Sequence, residues 1–455
     1  MGQPRFGTDG IRGIANAELT PELALAVGRA AARVLDGHTF IVGRDTRRSG
    51  PLLQAAFCAG IASEGVDVVD VGVLTTPGVA FVSEVRGVPA GVLSASHNPF
   101  EDNGIKLFAA GGAKLATEVE AAVERELEAI ICDPQRAPVR PTGARVGMIS
   151  PDPSAVTHYR EHLRRSLEGR RLEGLKVVID CANGAASEIA PDTFESLGAE
   201  VTALSCRPDG CNVNDRCGSS HPGQLTRVVR ELGADLGLAF DGDADRLVAV
   251  DHTGAVADGD VLLALFAGDL AAQGRLAGNA VVVTVMSNLG FRTAMTKRGI
   301  TVREVPVGDR AVLETLESEG LVLGGEQSGH IVFRDLATTG DGILTGLAVA
   351  DLVVRAGQPL AELCDGLIER VPQVLVNVAV GDPGRLDEAQ EVWDTVAEIE
   401  AQLGGTGRVV LRPSGTEPVI RVMVEATDEA VARRAAGRLC SVVEETLGKA
   451  AGSLR

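Results

Sequence analysis

The apolar run Leu236-Gly237-Leu238-Ala239-Phe240 passes without a break into Asp241-Gly242-Asp243-Ala244-Asp245-Arg246. Such a run suits a strand buried on both faces. The acids then stand on a tight loop at its carboxyl end, with small residues between them. Three like charges crowded in this way cost free energy unless a cation compensates, and hard carboxylate oxygens suit Mg²⁺. Arg246, next to them, points to an anion arriving at the same metal, and so to phosphate chemistry. An EF-hand is excluded, because its sixth and twelfth positions want Gly and Glu and here hold Arg246 and His252. An aspartyl-phosphate phosphatase would use one acid as nucleophile, whereas this spacing leaves all three placed as ligands. A solvated acidic turn is the plain alternative.

At 455 residues the chain is long for one core and favours three or four domains. Hydrophobic residues make up 45% but aromatic ones only 3%, with Gly and Ala abundant. Small residues in that quantity suit helices packed closely on parallel sheets, an α/β expectation. The formal charge of −19 argues against a nucleic-acid or anionic-membrane surface, so an anionic substrate needs a local basic cleft. None of the eight cysteines forms a C-x-x-C pair, and the spacings of Cys206, Cys211 and Cys217 do not fit common zinc patterns. Arg5, Asp9 and Arg12 interrupt any apolar amino-terminal stretch, and no run approaches membrane-spanning length. A soluble, cytoplasmic protein is expected.

Thr20-Pro21 opens a predicted helix, with Leu23, Val27, Ala30, Ala31 and Val34 at helical spacing. Strands are expected at Phe40-Ile41-Val42, Val68-Val69-Asp70 and Gly91-Val92-Leu93. A Pro-rich stretch, Ala137 to Pro141 with Pro151 and Pro153 beyond, reads as a linker. Lys176 to Asp180 opens a second unit, with Leu247 to Val250 as its third strand, and Ala280 to Thr284 opens a third. Each unit reads as strand, small polar loop and helix. The tail alternates instead, at Gln373 to Val380 and Val419 to Glu425, before a helix from about Glu429 to Thr446. The expected divisions are 1–148, 149–253, 254–368 and a smaller α+β unit at 369–455.

Three further loops carry chemistry. Ser94-Ala95-Ser96-His97-Asn98-Pro99 follows a strand, where a serine can act as nucleophile or phosphate carrier. Physical reasoning leaves Ser94 and Ser96 equal, and a turn bonded through Ser and Asn is the alternative. Lys106 could reach back as proton donor or phosphate clamp. Arg412-Pro413-Ser414-Gly415-Thr416-Glu417 supplies a guanidinium fork, hydroxyls and converging amides, and Arg421 a second guanidinium, which favours anion binding. Gly324-Gly325-Glu326-Gln327-Ser328-Gly329-His330 could hydrogen-bond sugar hydroxyls, or form a plain tight turn. No Walker A or strand-placed Gly-x-Gly-x-x-Gly pattern occurs, which disfavours nucleotide chemistry.

In this order, and together with Phe6-Gly7-Thr8-Asp9-Gly10-Ile11-Arg12-Gly13, these loops resemble the α-D-phosphohexomutase superfamily over nearly the whole chain. The closer resemblance is to its bacterial hexosamine-phosphate branch, through Asp102-Asn103-Gly104-Ile105-Lys106, Cys217 to Pro222, Val307-Gly308-Asp309-Arg310 and Thr338 to Gly342. The resemblance implies three similar α/β domains with mixed sheets and a smaller C-terminal domain of TATA-binding-protein-like type, around one cleft. It implies that Ser96 is the phosphoserine and that Asp241, Asp243 and Asp245 hold Mg²⁺ with an oxygen on Ser96. Lys106 and Arg246 would flank the reaction, Lys106 as general acid/base. Arg12, His97, Asp309, Glu326, Ser328 and His330 would line the substrate site, and Arg412, Ser414, Gly415, Thr416 and Arg421 would hold the unreacting phosphate.

An acid at Asp309, where relatives acting on mannose or glucose phosphates usually carry His, would suit a protonated 2-amino group. The implied reaction interconverts glucosamine 6-phosphate and glucosamine 1-phosphate for amino-sugar and cell-wall precursor synthesis. Glucosamine 1,6-bisphosphate or glucose 1,6-bisphosphate would serve as intermediate or activator. The alternatives are a phosphomannomutase or phosphoglucomutase, a metal phosphatase, and a non-catalytic sugar-phosphate sensor. A homodimer stays open. Ala311, Ser220 and Leu107 depart from the branch's usual Tyr, Thr and Phe, which bears on fine specificity only.

Overall fold

A computed structural model describes residues 6–7, 10–132, 140–414 and 418–448. Within them the predicted first helix spans Pro21–Val34, with Thr20 Oγ1 accepting from Leu23 N at 3.2 Å and Pro21 in the first turn. The apolar runs become strands buried on both faces, such as Leu236–Phe240 and Ala280–Thr284. The expected Ala137–Pro141 linker lies mostly outside the described residues.

One strand plan occurs in three sheets. In the first, Thr39–Arg44 lies between parallel partners Asp67–Val73 and Ala90–Leu93, and Asp102–Phe108 returns antiparallel to the latter. In the second, Lys176–Asp180 lies between Glu200–Leu204 and Leu236–Phe240, and Leu247–Asp251 returns. In the third, Ala280–Thr284 lies between Thr301–Val305 and Leu323–Gly325, and Ile331–Phe333 returns. The sheets are therefore mixed. Mixed sheets were expected, as was a strand at Leu247 to Val250 after the acids. The sequence reading of strand, loop and helix is corrected at the serine loop and the Glu326 loop, each of which turns straight into an antiparallel strand. Glu200–Leu204 is a further strand, half-exposed at its sheet edge and without a strong apolar signature.

The first sheet also takes up Ile149–Pro151, parallel to Asp67–Val73. One hydrophobic cluster runs through all three units, from Ile41 through Tyr159 and Phe240 to Val283, and each unit has a further cluster of its own. The helix Gly342–Ala356 follows the third sheet in sequence but packs on Leu236–Phe240 and Leu247–Asp251 of the second. Asp341 caps it, accepting from Leu344 N at 2.9 Å, and also accepts from Tyr159 Oη at 2.6 Å. The smaller C-terminal unit is an antiparallel sheet with Val419–Glu425 between Gln373–Ala379 and Arg408–Pro413. Helices Gln390–Leu403 and Glu429–Leu447 share its core of Val, Ile and Leu. No helix among the described residues is long and apolar enough to cross a membrane.

Candidate active site

The shared plan puts three hairpin tips at equivalent places. Ser96 follows Ala90–Leu93, the acids follow Leu236–Phe240, and Glu326 follows Leu323–Gly325. Residues from these tips and from the C-terminal sheet line one cleft of about 840 Å³.

Ser96 is fully buried and its backbone has φ of 52°, a left-handed conformation that a non-glycine residue adopts at a cost. Its Oγ donates to Asp241 Oδ2 at 2.6 Å, across 145 residues of sequence. Ser94 is equally buried, but its Oγ donates to Asp45 Oδ2 at 2.7 Å and accepts from Ser96 N at 2.9 Å. The two serines that sequence left equal thus differ in surroundings, since Ser94 braces the turn and Ser96 meets the acids. The loops touch so closely that a Cβ on Gly242 would lie 2.7 Å from the Ser96 carbonyl oxygen.

Asp241, Asp243 and Asp245 each offer an oxygen within 4.8 Å of the others. Burial, then the charges of Asp245 and Asp243, push the Asp241 carboxyl well above the usual carboxylate range. Asp243 Oδ2 accepts from Lys106 Nζ at 2.7 Å and from Thr76 Oγ1 at 2.5 Å. Its Oδ1 is buried with no hydrogen-bond partner among the described residues. A buried carboxylate oxygen without a partner is costly, and it fits a cation-binding group. Lys106 Nζ also reaches Asp245 Oδ2 at 3.3 Å. Arg246 lies on the cleft wall, its Nε 3.8 Å from Asp245 Oδ1.

Burial, then the charges of Arg246 and Arg12, push His97 down to about 4, so the ring is neutral at pH 7. Its Nδ1 lies 3.2 Å from Ser96 Oγ. Arg12 lines the cleft with Nη1 3.4 Å from Asn98 Oδ1. In the third unit Glu326 Oε1 accepts from Gly308 N at 3.2 Å, and Ser328 Oγ stands 3.5 Å from Glu326 Oε2. His330 accepts at Nε2 from Gly340 N at 3.1 Å, which directs Nδ1 toward Asp245 Oδ2 at 3.8 Å. Asp309 also lines the cleft, and pairs with Lys114 of the first unit.

Arg412 and Arg421 face each other across paired strands. Opposed like charges destabilise a sheet, and Arg412 is held below its usual pKa by burial and by Arg421. Its Nε is buried without a hydrogen-bond partner among the described residues. An anion between the two guanidiniums would relieve both conditions. Ser414 joins them on the cleft, while Gly415 and Thr416 lie outside the described residues.

Sequence reasoning missed the groups that hold the serine loop. Arg47 is fully buried and pairs with Asp45 at 2.8 Å. Its other donors reach the carbonyls of Ser96 at 2.8 Å, Asn98 at 2.9 Å, Asp102 at 2.9 Å and Pro99. From the second unit, Asn214 Nδ2 donates to the same Ser96 and Asn98 carbonyls, at 2.8 and 3.0 Å. The one sequence hint was Asp45-Thr46-Arg47, charged and placed after a strand of the serine's own unit.

Four family matches run along the chain in order. They are phosphoglucomutase/phosphomannomutase alpha/beta/alpha domain I over residues 3–131, domain II over 157–254, domain III over 258–371 and the C-terminal domain over 375–441. A phosphoglucosamine mutase from Streptomyces avermitilis is 51% identical over 453 residues, covering 97% of this chain and 99% of that protein. Among solved structures, a phosphoglucomutase/phosphomannomutase family protein from Burkholderia thailandensis superposes with a TM-score of 0.80 at 26% identity, covering 98% of each chain. An Aspergillus fumigatus N-acetylphosphoglucosamine mutase, in complex with GlcNAc-6P and magnesium, shares the fold with a TM-score of 0.68 at 19% identity, over 97% of this chain and 96% of that one. Near-full-length identity of about one half, with every domain of the family present in order, shows that the chain belongs to the phosphoglucosamine mutases of the α-D-phosphohexomutase superfamily.

Proposed function

We propose that the chain interconverts glucosamine 6-phosphate and glucosamine 1-phosphate through a phosphoserine at Ser96. The observation that carries this is the contact of Ser96 Oγ with Asp241 Oδ2 at 2.6 Å, with Lys106 bonded to the neighbouring acids. A nucleophile from one unit meets an acidic cluster from another, buried beside a cleft that Asp245 lines together with the two opposed arginines.

Asp241, Asp243 and Asp245 would hold Mg²⁺ together with an oxygen on Ser96, and the partnerless Asp243 Oδ1 fits that assignment. Bound there, the cation would neutralise charge on the transferring phosphoryl group. Arg412 and Arg421, with Ser414, grip the phosphate that does not react. Glu326 and Ser328 orient the sugar ring through its hydroxyls.

In the first half-reaction the phosphorus–oxygen bond to Ser96 breaks and a new one forms to the free sugar hydroxyl. The hydroxyl's proton is passed on through Lys106 to the departing Ser96 Oγ, which leaves as the free hydroxyl. The hexosamine 1,6-bisphosphate then turns over in the cleft, and its other phosphate returns to Ser96 while the proton passes back through Lys106. Arg246 steadies the anion beside the acids. Neutral His97, with Nδ1 3.2 Å from Ser96 Oγ, can donate to that oxygen without adding charge. Burial of Ser96 and Lys106 limits water, which would otherwise hydrolyse the phosphoserine.

Ser96→Ala is expected to lose at least ~10³-fold in mutase turnover, the scale of removing an essential nucleophile, while keeping the circular-dichroism spectrum. Turnover of glucosamine 6-phosphate within a few-fold of wild type would sink the proposal.

A further inference from the structure

Asp309, the acid expected to meet the sugar's amino group, is already in an ion pair. Lys114 Nζ, from just beyond the strand Asp102–Phe108, donates to Asp309 Oδ1 across the boundary between the first and third units. Both side chains are nearly buried, at 14% and 13% exposure. The next residue repeats the contact, for Arg310 pairs with Glu120 and its Nη1 reaches Thr117 Oγ1 at 3.2 Å. On the other side, Gly308 N holds Glu326 Oε1 at 3.2 Å. The segment 308–310 thus ties the sugar loop to the first unit.

The pair also divides the two oxygens of Asp309. Oδ1 takes Lys114 and, at 2.8 Å, the backbone N–H of Arg310. Among the described residues both bonds fall on that oxygen, which leaves Oδ2 as acceptor for a ligand in the cleft that Asp309 lines.

We propose that Lys114 sets how strongly the cleft prefers an amino sugar over a hydroxyl sugar, by sharing the charge of Asp309 with the substrate. The inference rests on the hexosamine-phosphate reading above. A 2-ammonium docking on Oδ2 meets a carboxylate that already carries an ammonium on Oδ1, and the two cations repel. Near-burial leaves that repulsion less screened than on an open surface. A neutral 2-hydroxyl feels none of it. Lys114 therefore holds the amino-sugar preference below what Asp309 alone would give, and in exchange ties the first and third units together beside the sugar. It is a specificity-setting residue that acts through Asp309 and moves no proton.

The test is kcat/KM on glucosamine 6-phosphate and on glucose 6-phosphate, with glucose 1,6-bisphosphate as activator. Wild type is compared with Lys114→Gln, Lys114→Arg and Asp309→Asn. Lys114→Gln keeps a donor for Asp309 but loses the charge. It is expected to raise the amino-to-hydroxyl ratio about tenfold, the effect of one unit charge across ~6 Å at an effective dielectric of ~40. Lys114→Arg should hold the wild-type ratio within about twofold, and Asp309→Asn should lower it, because a carboxylate favours an ammonium ligand and an amide does not. An unchanged or lowered ratio in Lys114→Gln overturns the inference, as does an equal loss on both sugars, which would mark a purely structural tie. Wild type that fails to turn over glucosamine 6-phosphate would instead overturn the functional reading, so the two failures are distinguishable.

Discussion

Arg47→Lys asks whether the serine loop is held from behind by buried hydrogen bonds. The guanidinium spends all five of its donors on Asp45 and on the carbonyls of Pro99, Asp102, Ser96 and Asn98. A lysine ammonium has three donors on one nitrogen, so at least two acceptors lose their partner. The Ser96 and Asn98 carbonyls keep Asn214. The loss therefore falls hardest on Pro99 and Asp102. Pro99 is exposed and Asp102 half-buried, so each lost bond costs nearer the net worth of a hydrogen bond, ~1–1.5 kcal/mol, and the two together roughly 2–3 kcal/mol. The charge opposite Asp45 survives, so the larger penalty of stranding a buried ion is not added. If a quarter of the lower bound reaches the transition state as misplacement of Ser96, kcat falls about twofold, and if all of it does, more than tenfold. Urea unfolding, followed by circular dichroism, reads the stability, and initial rates read kcat and KM. The expected outcome is a lowered midpoint and a lowered kcat, with KM for the sugar phosphate within about twofold, because Arg412 and Arg421 belong to another unit. A variant with wild-type midpoint and wild-type kcat would refute the bracing argument.

Two other perturbations test separate parts of the molecule. Arg421→Ala should raise KM for sugar phosphate by about tenfold or more, since a charged hydrogen bond is worth ~1.5–3 kcal/mol, while leaving Mg²⁺ affinity unchanged. An unmoved KM would remove the anion role of the opposed arginines. Burial raises Asp341 from its usual range to about 6. A carboxyl raised on folding contributes stability at low pH that is lost as pH rises through the folded value, here between about pH 4 and 6. Asp341→Asn keeps one of the two acceptor oxygens, a loss that does not vary with pH, and lacks the titration, so its stability relative to wild type should grow by ~2 kcal/mol from pH 4.5 to pH 7.5. Parallel urea midpoints at the two pH values would contradict the assignment.

Features that depend on neighbouring residues were legible in the sequence. Thr20-Pro21 announced its helix, and Leu236–Phe240 announced a buried strand, because capping and apolar runs are local signals. The chemical loops were legible for the same reason, since acids, serine and arginines each follow a strand. Of the return strands only Leu247–Asp251, with its apolar run, was legible, because the pairing of Asp102–Phe108 and Ile331–Phe333 is chosen by the sheet rather than by their own composition. Glu200–Leu204 escaped because an edge strand with one wet face lacks a continuous apolar run. Arg47 escaped because it acts on backbone carbonyls, which carry no residue signature. The Lys114–Asp309 pair spans 195 residues, and nothing near either residue announces the other.

The hairpin plan also bears on why this site can be accurate. A loop whose two ends enter neighbouring strands of one sheet has both ends fixed, so few conformations remain to be excluded. That matters where a displacement of ~1 Å can cost ~10²-fold in rate. The loop between Leu323–Gly325 and Ile331–Phe333 covers residues 326–330, and that between Leu236–Phe240 and Leu247–Asp251 covers 241–246. The serine loop is the longest, covering residues 94–101, and by length alone it is the least constrained. It is also the one into which Arg47 is buried, with Asn214 added from the second unit on the same carbonyls. A brace from its own sheet fixes the loop's shape, and a brace from the neighbouring unit fixes its place against the acids. On the proposed mechanism a serine presenting phosphate to both ends of a turning sugar would need both, because the two half-reactions would share one position of Ser96 and exchange only the substrate's orientation.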